Sequence, residues 1–174
     1  MDFRAGNRYN GQNQRRADME YFTRYDSPIG PLYLRSDGTS LTGLSPVLAG
    51  TIRDELLIFR EARNRLDAYF RGGRPDPRDL PLAPPGTDFQ KAVWAELLAV
   101  PYGESRTYGD IARVLDRPRG AQAVGQAVGR NPIAIIIPCH RILGVGNNLT
   151  GFAWGLEKKK WLLRHEGVDF IDHP

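Results

Sequence analysis

Five consecutive apolar residues, Ile133-Ala134-Ile135-Ile136-Ile137, stop at Pro138 and are followed at once by the only cysteine in the chain, Cys139. A run of that kind has no polar face to offer water, so it reads as a strand buried on both sides. Pro138 ends such a strand because it withholds a backbone donor and keeps Ile137 extended. Cys139 is therefore expected where a core strand has just stopped, an address at which rigid elements commonly hold reactive groups. A lone thiol forms no internal disulfide, and one cysteine is too few for a structural zinc cluster. Three readings remain: an inert buried residue, an accident of the surface, or a nucleophile. His140 can hold or relay a proton near neutral pH, and Arg141 adds positive potential that favours a thiolate. Buried lone cysteines are common, so this adjacency alone does not decide among the three.

The rest of the chain divides at a proline-rich stretch. Residues 74–86 hold five prolines and little periodicity, which predicts a linker. Before it, residues 21–28 and 32–44 read as strands, with turns at Ile29-Gly30-Pro31 and Ser36-Asp37-Gly38. A helix-spaced stripe of Ile52, Leu56, Phe59, Leu66 and Tyr69-Phe70 then ends at Gly72-Gly73. Beyond the linker, Thr87 or Asp88 can cap a helix reaching about Ala99, with Phe89, Val93, Trp94 and Leu97-Leu98 on its buried face. Helices over residues 107–115 and 120–129 flank Asp116-Arg117-Pro118-Arg119, as a helix-turn-helix or as an ordinary helical hairpin. A last helix over 156–165 carries Lys158-Lys159-Lys160 on one side and Trp161 and Leu162 on the other. The expected fold is a mixed α/β (α+β) chain: a small antiparallel sheet with a helix over residues 20–85, then a largely helical domain over 86–174.

At 174 residues the chain can bury one large core or two small ones. No apolar run is long enough to span a bilayer. Residues 1–19 are polar, lack the apolar stretch of a signal peptide, and are expected to form a disordered arm. A working thiol points to a reducing interior, the cytoplasm or the nucleus. The net charge of +4 only permits a polyanionic partner. Basic residues gather in the second half, among them Arg106, Arg113, Arg117, Arg119, Arg130 and Arg164, but charge alone fits an ordinary solvated surface.

A wider pattern surrounds the cysteine. Pro138-Cys139-His140-Arg141-Ile142 follows Asn131-Pro132 and precedes Gly151-Phe152-Ala153 and Trp161-Leu162-Leu163-Arg164-His165-Glu166-Gly167. This resembles the O6-alkylguanine-DNA alkyltransferases, from Gly86-Thr87-Asp88-Phe89-Gln90 to Gly167. A fainter likeness reaches Asp26-Ser27-Pro28-Ile29-Gly30-Pro31-Leu32 and Leu66-Asp67-Ala68-Tyr69-Phe70. The resemblance implies a suicidal repair protein that moves an alkyl group from O6 of a damaged guanine to Cys139, once per molecule, without metal or organic cofactor. The implied partner is double-stranded DNA carrying O6-alkylguanine, met by a monomer with no membrane attachment. Family zinc sites use amino-terminal cysteines and histidines; none precedes Cys139 here, so that site should be absent.

The resemblance also assigns roles. Glu166 would orient His140, which acts on the Cys139 thiol through a water, because chain neighbours do not face each other on regular elements. Asn131 would tie the DNA-binding helix to the active site. Tyr108 would donate a proton toward the base and touch the adjoining phosphate; read alone, it is equally a core aromatic. Backbone groups near Cys139 and Ile142 would read the guanine edge, and the Phe152-Ala153 loop would supply an amide at the oxygen. Lys159 would help hold this network, although its lysine run reads equally as solvated surface, and His165 is expected to be structural. The helix containing Ala121, Ala123, Val124, Gly125, Ala127, Val128 and Gly129 has only Gln122, Gln126 and Arg130 as polar groups. Major-groove readers carry more polar side chains; small residues suit close approach to a minor groove about 6 Å wide, against a helix diameter of about 10–12 Å.

Two positions depart from the family. Gln122 stands where an arginine fills the gap left by the flipped base, with Arg119 or Arg117 as possible substitutes. Trp154 stands where glycine is common, and its indole could stack on the alkylated base or cover the loop. The rival readings are a lesion binder that flags damage, which would lack the cysteine, a helix-turn-helix regulator with a sensor cysteine, and a globular domain with a buried thiol.

Overall fold

Alternation builds the first half. The computed structural model describes residues 20–52 and 56–172; the arm expected over 1–19 lies outside them. Strands β1 (Tyr21–Ser27), β2 (Gly30–Ser36) and β3 (Leu41–Ser45) form an antiparallel sheet in the order β1-β2-β3. In β2, Leu32, Leu34 and Ser36 face inward while their neighbours do not, the period of two that a sheet with one covered face imposes. Helix α1 (Leu57–Phe70) covers that face with Ile58, Phe59, Ala62, Leu66 and Tyr69. Each large apolar side chain buried this way contributes about 1.5–3 kcal/mol. The first turn is Pro28-Ile29, because Ser27 pairs with Gly30 and Pro31 lies inside β2. Ile52 falls outside the helix and instead pairs with Phe22.

The proline-rich stretch is packed along much of its length. Residues Pro77–Asp79 form a 3₁₀ turn capped by the Asp76 carboxylate, which accepts from the Arg78 N–H at 2.9 Å. Leu80 is buried, and the chain runs along the edge of β3, where Leu41 N–H donates to Pro81 O at 2.8 Å and Ala83 N–H to Leu41 O at 2.9 Å. One continuous core joins the halves, uniting Leu34, Leu44 and Phe59 with Trp94, Ile133, Ile137 and Leu162.

In the second half, α2 (Asp88–Leu98) starts at a reciprocal cap between Thr87 and Gln90, and α3 (Tyr108–Val114) at the same device between Thr107 and Asp110. Helix α4 (Ala121–Gly129) packs on α2 and α3, in the helix-turn-helix order expected. The buried Trp94 indole donates to Ala127 O at 2.9 Å, pinning α4 to α2. Short parallel strands β4 (Arg106–Thr107) and β5 (Ile142–Leu143) bring the start of α3 beside the segment after Cys139. Helix α5 (Leu156–Glu166) stops at Gly167, whose φ of 71° closes a Schellman motif with Gly167 N–H to Arg164 O and Val168 N–H to Leu163 O. No helix among the described residues is long and apolar enough to cross a membrane.

The run 133–137 is buried as expected, but it is not a strand. It reverses: Ala134 pairs with Ile137, Ile137 N–H donates to Ile133 O at 2.9 Å, and Ile135 adopts φ 74°. A β-branched residue in the left-handed region is strained, at a cost of about 1–3 kcal/mol. The Asn131 side chain enforces the reversal, donating to Ile137 O at 2.8 Å and accepting from Ile133 N–H at 3.0 Å. The first half adds one more tie, Leu44 N–H to Pro132 O at 2.8 Å.

Candidate active site

Cys139 follows this reversal directly. Pro138, at φ −82° and ψ 63°, makes an inverse γ-turn in which Cys139 N–H donates to Ile137 O at 2.8 Å. Cys139–Arg141 then form one 3₁₀ turn. The thiol is thus presented by two tight turns in succession, not by a strand end. Within that single turn the side chains diverge. Cys139 lines a cavity of about 580 Å³, while His140 and Arg141 are buried away from that cavity.

His140 Nε2 lies 2.6 Å from Glu166 Oε1, and both side chains are shut off from solvent. Arg141 grips the same carboxylate, with Nε at 2.7 Å from Oε2 and Nη2 at 3.1 Å from Oε1, and its Nη1 donates to Val100 O at 2.6 Å. The Tyr69 hydroxyl, from α1, donates to Glu166 Oε1 at 2.8 Å. Burial opposes ionisation of Glu166, yet these hydrogen bonds and the neighbouring charges outweigh it and hold the carboxyl down at about 2. Burial pushes His140 below the usual imidazole range despite the carboxylate. Its Nδ1 has no hydrogen-bond partner among the described residues.

The thiol is not a preformed thiolate. Burial pushes Cys139 up to about 11, against the opposing pull of Asn131, the Lys159 charge and nearby backbone N–H groups. The positive potential expected from Arg141 is spent on Glu166, which corrects the reading that it activates the thiol. Lys159 is not solvated: it is fully buried, donates to Ile142 O at 2.6 Å, and is held down at about 8 by burial, with Cys139 acting the other way. Its neighbour Lys160 instead reaches Glu157 at 2.9 Å and Asp172 at 2.6 Å, so the lysine run splits between interior and surface.

The cavity brings together Cys139, Tyr108, Asn131, Ala121, Gln122, Gly125, Phe152 and Ala153. The Tyr108 hydroxyl is 2.8 Å from Thr150 Oγ1, its ring lies across Gly125, and burial raises its pKa. Four residues expected at the DNA surface or in the base pocket stand off the cavity wall. Trp154 packs behind Phe152 with ring centroids 5.8 Å apart, so it backs the loop. Ile142 is fully buried and offers its carbonyl to Lys159. Arg119 and Arg130 are exposed at the two ends of α4. Arg117 has its guanidinium 4.9 Å over the Phe89 ring. His165 is structural in geometry, stacked on Trp161 and 2.8 Å from Tyr69 O through Nε2. Tyr69 and Thr150 were not singled out from sequence: Tyr69 read as one more apolar position of a helix stripe, 97 residues from its partner.

Comparison with known proteins now decides the lineage. Residues 88–168 match the family model described as "6-O-methylguanine DNA methyltransferase, DNA binding domain", and residues 21–84 match "6-O-methylguanine DNA methyltransferase, ribonuclease-like domain". The chain belongs to the 6-O-methylguanine DNA methyltransferase family. The methylated-DNA--protein-cysteine methyltransferase of Haemophilus influenzae is 45% identical over 159 residues, spanning 87% of this chain and 89% of that protein. The crystal structure of the Mycobacterium tuberculosis O6-methylguanine methyltransferase superposes with a TM-score of 0.76 at 42% identity, covering 86% of this chain and 93% of the other. The Mycobacterium tuberculosis protein in complex with DNA superposes with a TM-score of 0.75 at 45% identity, covering 84% and 92%. With these relatives the mixed α/β fold expected from the sequence is established.

Proposed function

We propose that this protein repairs DNA by direct reversal, transferring the alkyl group of O6-alkylguanine in duplex DNA irreversibly to Cys139. The observation that carries this reading is that Cys139 shares one cavity with the small-residue face of α4, while His140 and Glu166 lie hydrogen-bonded beneath it. The division of labour follows the two parts, 20–85 as support and 86–174 as DNA-binding and transfer unit.

In this reading α4 enters the minor groove and the damaged base flips into the cavity. Such extrusion costs a few kcal/mol. The Cys139 sulfur attacks the alkyl carbon as its proton passes through one water to His140 Nδ1. Glu166 stabilises the resulting imidazolium. The bond from the alkyl carbon to O6 breaks, and the electron pair stays on the guanine. Tyr108 supplies a proton to the departing base and is reprotonated from solvent, to which His140 releases the proton it took from the thiol. Lys159 and Asn131 fix the turn and lower the cost of negative charge on sulfur. The products are an alkylated cysteine and an intact guanine, so each molecule acts once, in a compartment that keeps the thiol reduced.

Intact-mass measurement after mixing the protein with duplex DNA carrying O6-methylguanine tests this. One methyl group should appear, once, on Cys139, and Cys139→Ser should gain none. Repeated turnover, or a methyl group elsewhere, contradicts the assignment.

A further inference from the structure

The reversal at 133–137 has a second side. Ala134 and Cys139 face the cavity just described, whereas Ile135, Ile136 and Arg141 line a separate cavity of about 380 Å³ with which it shares no residue. That volume lies within the range of small-molecule sites, roughly 300–1,000 Å³. Its interior is apolar, from Leu66, Leu98, Val100, Ile135 and Ile136, and arginines stand at its border.

The charges around it do not balance. Arg78 is held by Asp76 at 2.7 Å, Arg65 by Asp79 at 3.2 Å, and Arg141 by Glu166 at 2.7 Å. Arg74 is different: its guanidinium lies 4.9 Å over the Tyr102 ring, and no carboxylate pairs with it among the described residues. One cation is left over, beside an aromatic face and above an apolar floor. We propose that this rear cavity binds a small flat monoanion, an aromatic or apolar body carrying one acidic group, with that group on Arg74 and its body against Tyr102 and the isoleucines. A nucleic-acid backbone would leave the apolar floor unused. Arg141 and Tyr69, both in the cavity wall, also hydrogen-bond Glu166, so an occupant touches the network that holds His140. The binding claim does not depend on the alkyl-transfer reading.

Fluorescence titration of the whole protein with 8-anilinonaphthalene-1-sulfonate and with neutral N-phenyl-1-naphthylamine separates charge from apolar contact. The sulfonate should bind roughly tenfold more tightly, as expected for one charged hydrogen-bonded contact. Arg74→Gln, at an exposed side chain, should erase that difference and leave the neutral dye as it was. Ala99→Trp, which adds bulk at an exposed residue of the cavity wall, should weaken both dyes. The proposal is overturned if the sulfonate fails to bind below about 1 mM. It is equally overturned if Arg74→Gln leaves the preference intact, or if Ala99→Trp changes neither dye.

Discussion

Helices α4 and α5 border the same thiol and are opposites in composition. Helix α4 is neutral and built of Ala, Val, Gly and Gln, yet it leaves Gln122, Gln126 and Gly129 exposed beside the Cys139 cavity. Helix α5 is dense in Lys, Glu and Arg, yet it buries Lys159 and Glu166 beneath that cavity. Charge content therefore does not predict exposure here. The neutral helix offers an approach surface on which no side chain must be desolvated at great cost. The charged helix places an ammonium and a carboxylate where low dielectric makes each of them count.

The largest expected effect comes from breaking the lower half of that contrast. Glu166→Gln leaves the buried Arg141 without its carboxylate and should cost about 3–5 kcal/mol in chemical denaturation. It should also slow alkyl transfer by about a hundredfold or more, the usual scale of a lost proton-transfer aid. A loss under about 1 kcal/mol would mean that Arg141 finds water instead, and that the network is less closed than its geometry shows.

Acid should expose the same network. Glu166 titrates lower folded than its ordinary 4.5, at about 2, so its contribution is complete above pH 4.5 and is lost as pH falls toward 2. His140 is also lowered by burial, so the unfolded chain takes up that proton first and stability falls as pH drops below the ordinary 6.5. Thermal melts should be level near neutrality and decline below about pH 6.5, more steeply below about 4.5. Glu166→Gln should remove the lower part of that decline; an unchanged profile would place the acid-sensitive group elsewhere.

A smaller loss is expected at Asn131, which serves the turn between the two helices. Asn131→Ala forfeits the bonds to Ile137 O and Ile133 N–H, costing about 1–3 kcal/mol, and frees Ile135 to leave its left-handed conformation. Transfer should slow while binding to undamaged duplex, measured by fluorescence anisotropy, stays near its starting value. Equal losses in both would make Asn131 a general structural residue.

Much of this was legible in the sequence, and what was not has physical causes. The helix start at Thr87 was legible because a capping hydroxyl acts within one turn of chain, whereas the return bonds from Gln90 and Asp110 emerged only with the structure. The stripe ending in Tyr69-Phe70 marks α1 because burial of one face leaves a period. The run 133–137 misled because five buried apolar residues look the same in a strand and in a reversal; the deciding group, Asn131, lies outside the run and Leu44 lies in another element. Lys159 was ambiguous because position in a lysine run carries no information about which side chain points inward. Tyr69 was invisible as a polar residue because its partner Glu166 is brought to it only by the fold.

In the proposed function the small-residue face of α4 handles DNA and the buried network of His140 and Glu166 handles the proton. Single-turnover transfer rates on duplex DNA and on the free O6-methylguanine base, compared for His140→Gln and Gln122→Arg, test it most directly. His140→Gln keeps a donor for Glu166 but removes the titrating ring, so it should slow both substrates by a similar factor, about a hundredfold. Gln122→Arg adds charge and a planar group at the cavity edge, so it should speed the duplex reaction a few-fold and leave the free base unchanged. A His140→Gln defect confined to duplex, or a Gln122→Arg gain on the free base, would contradict the division.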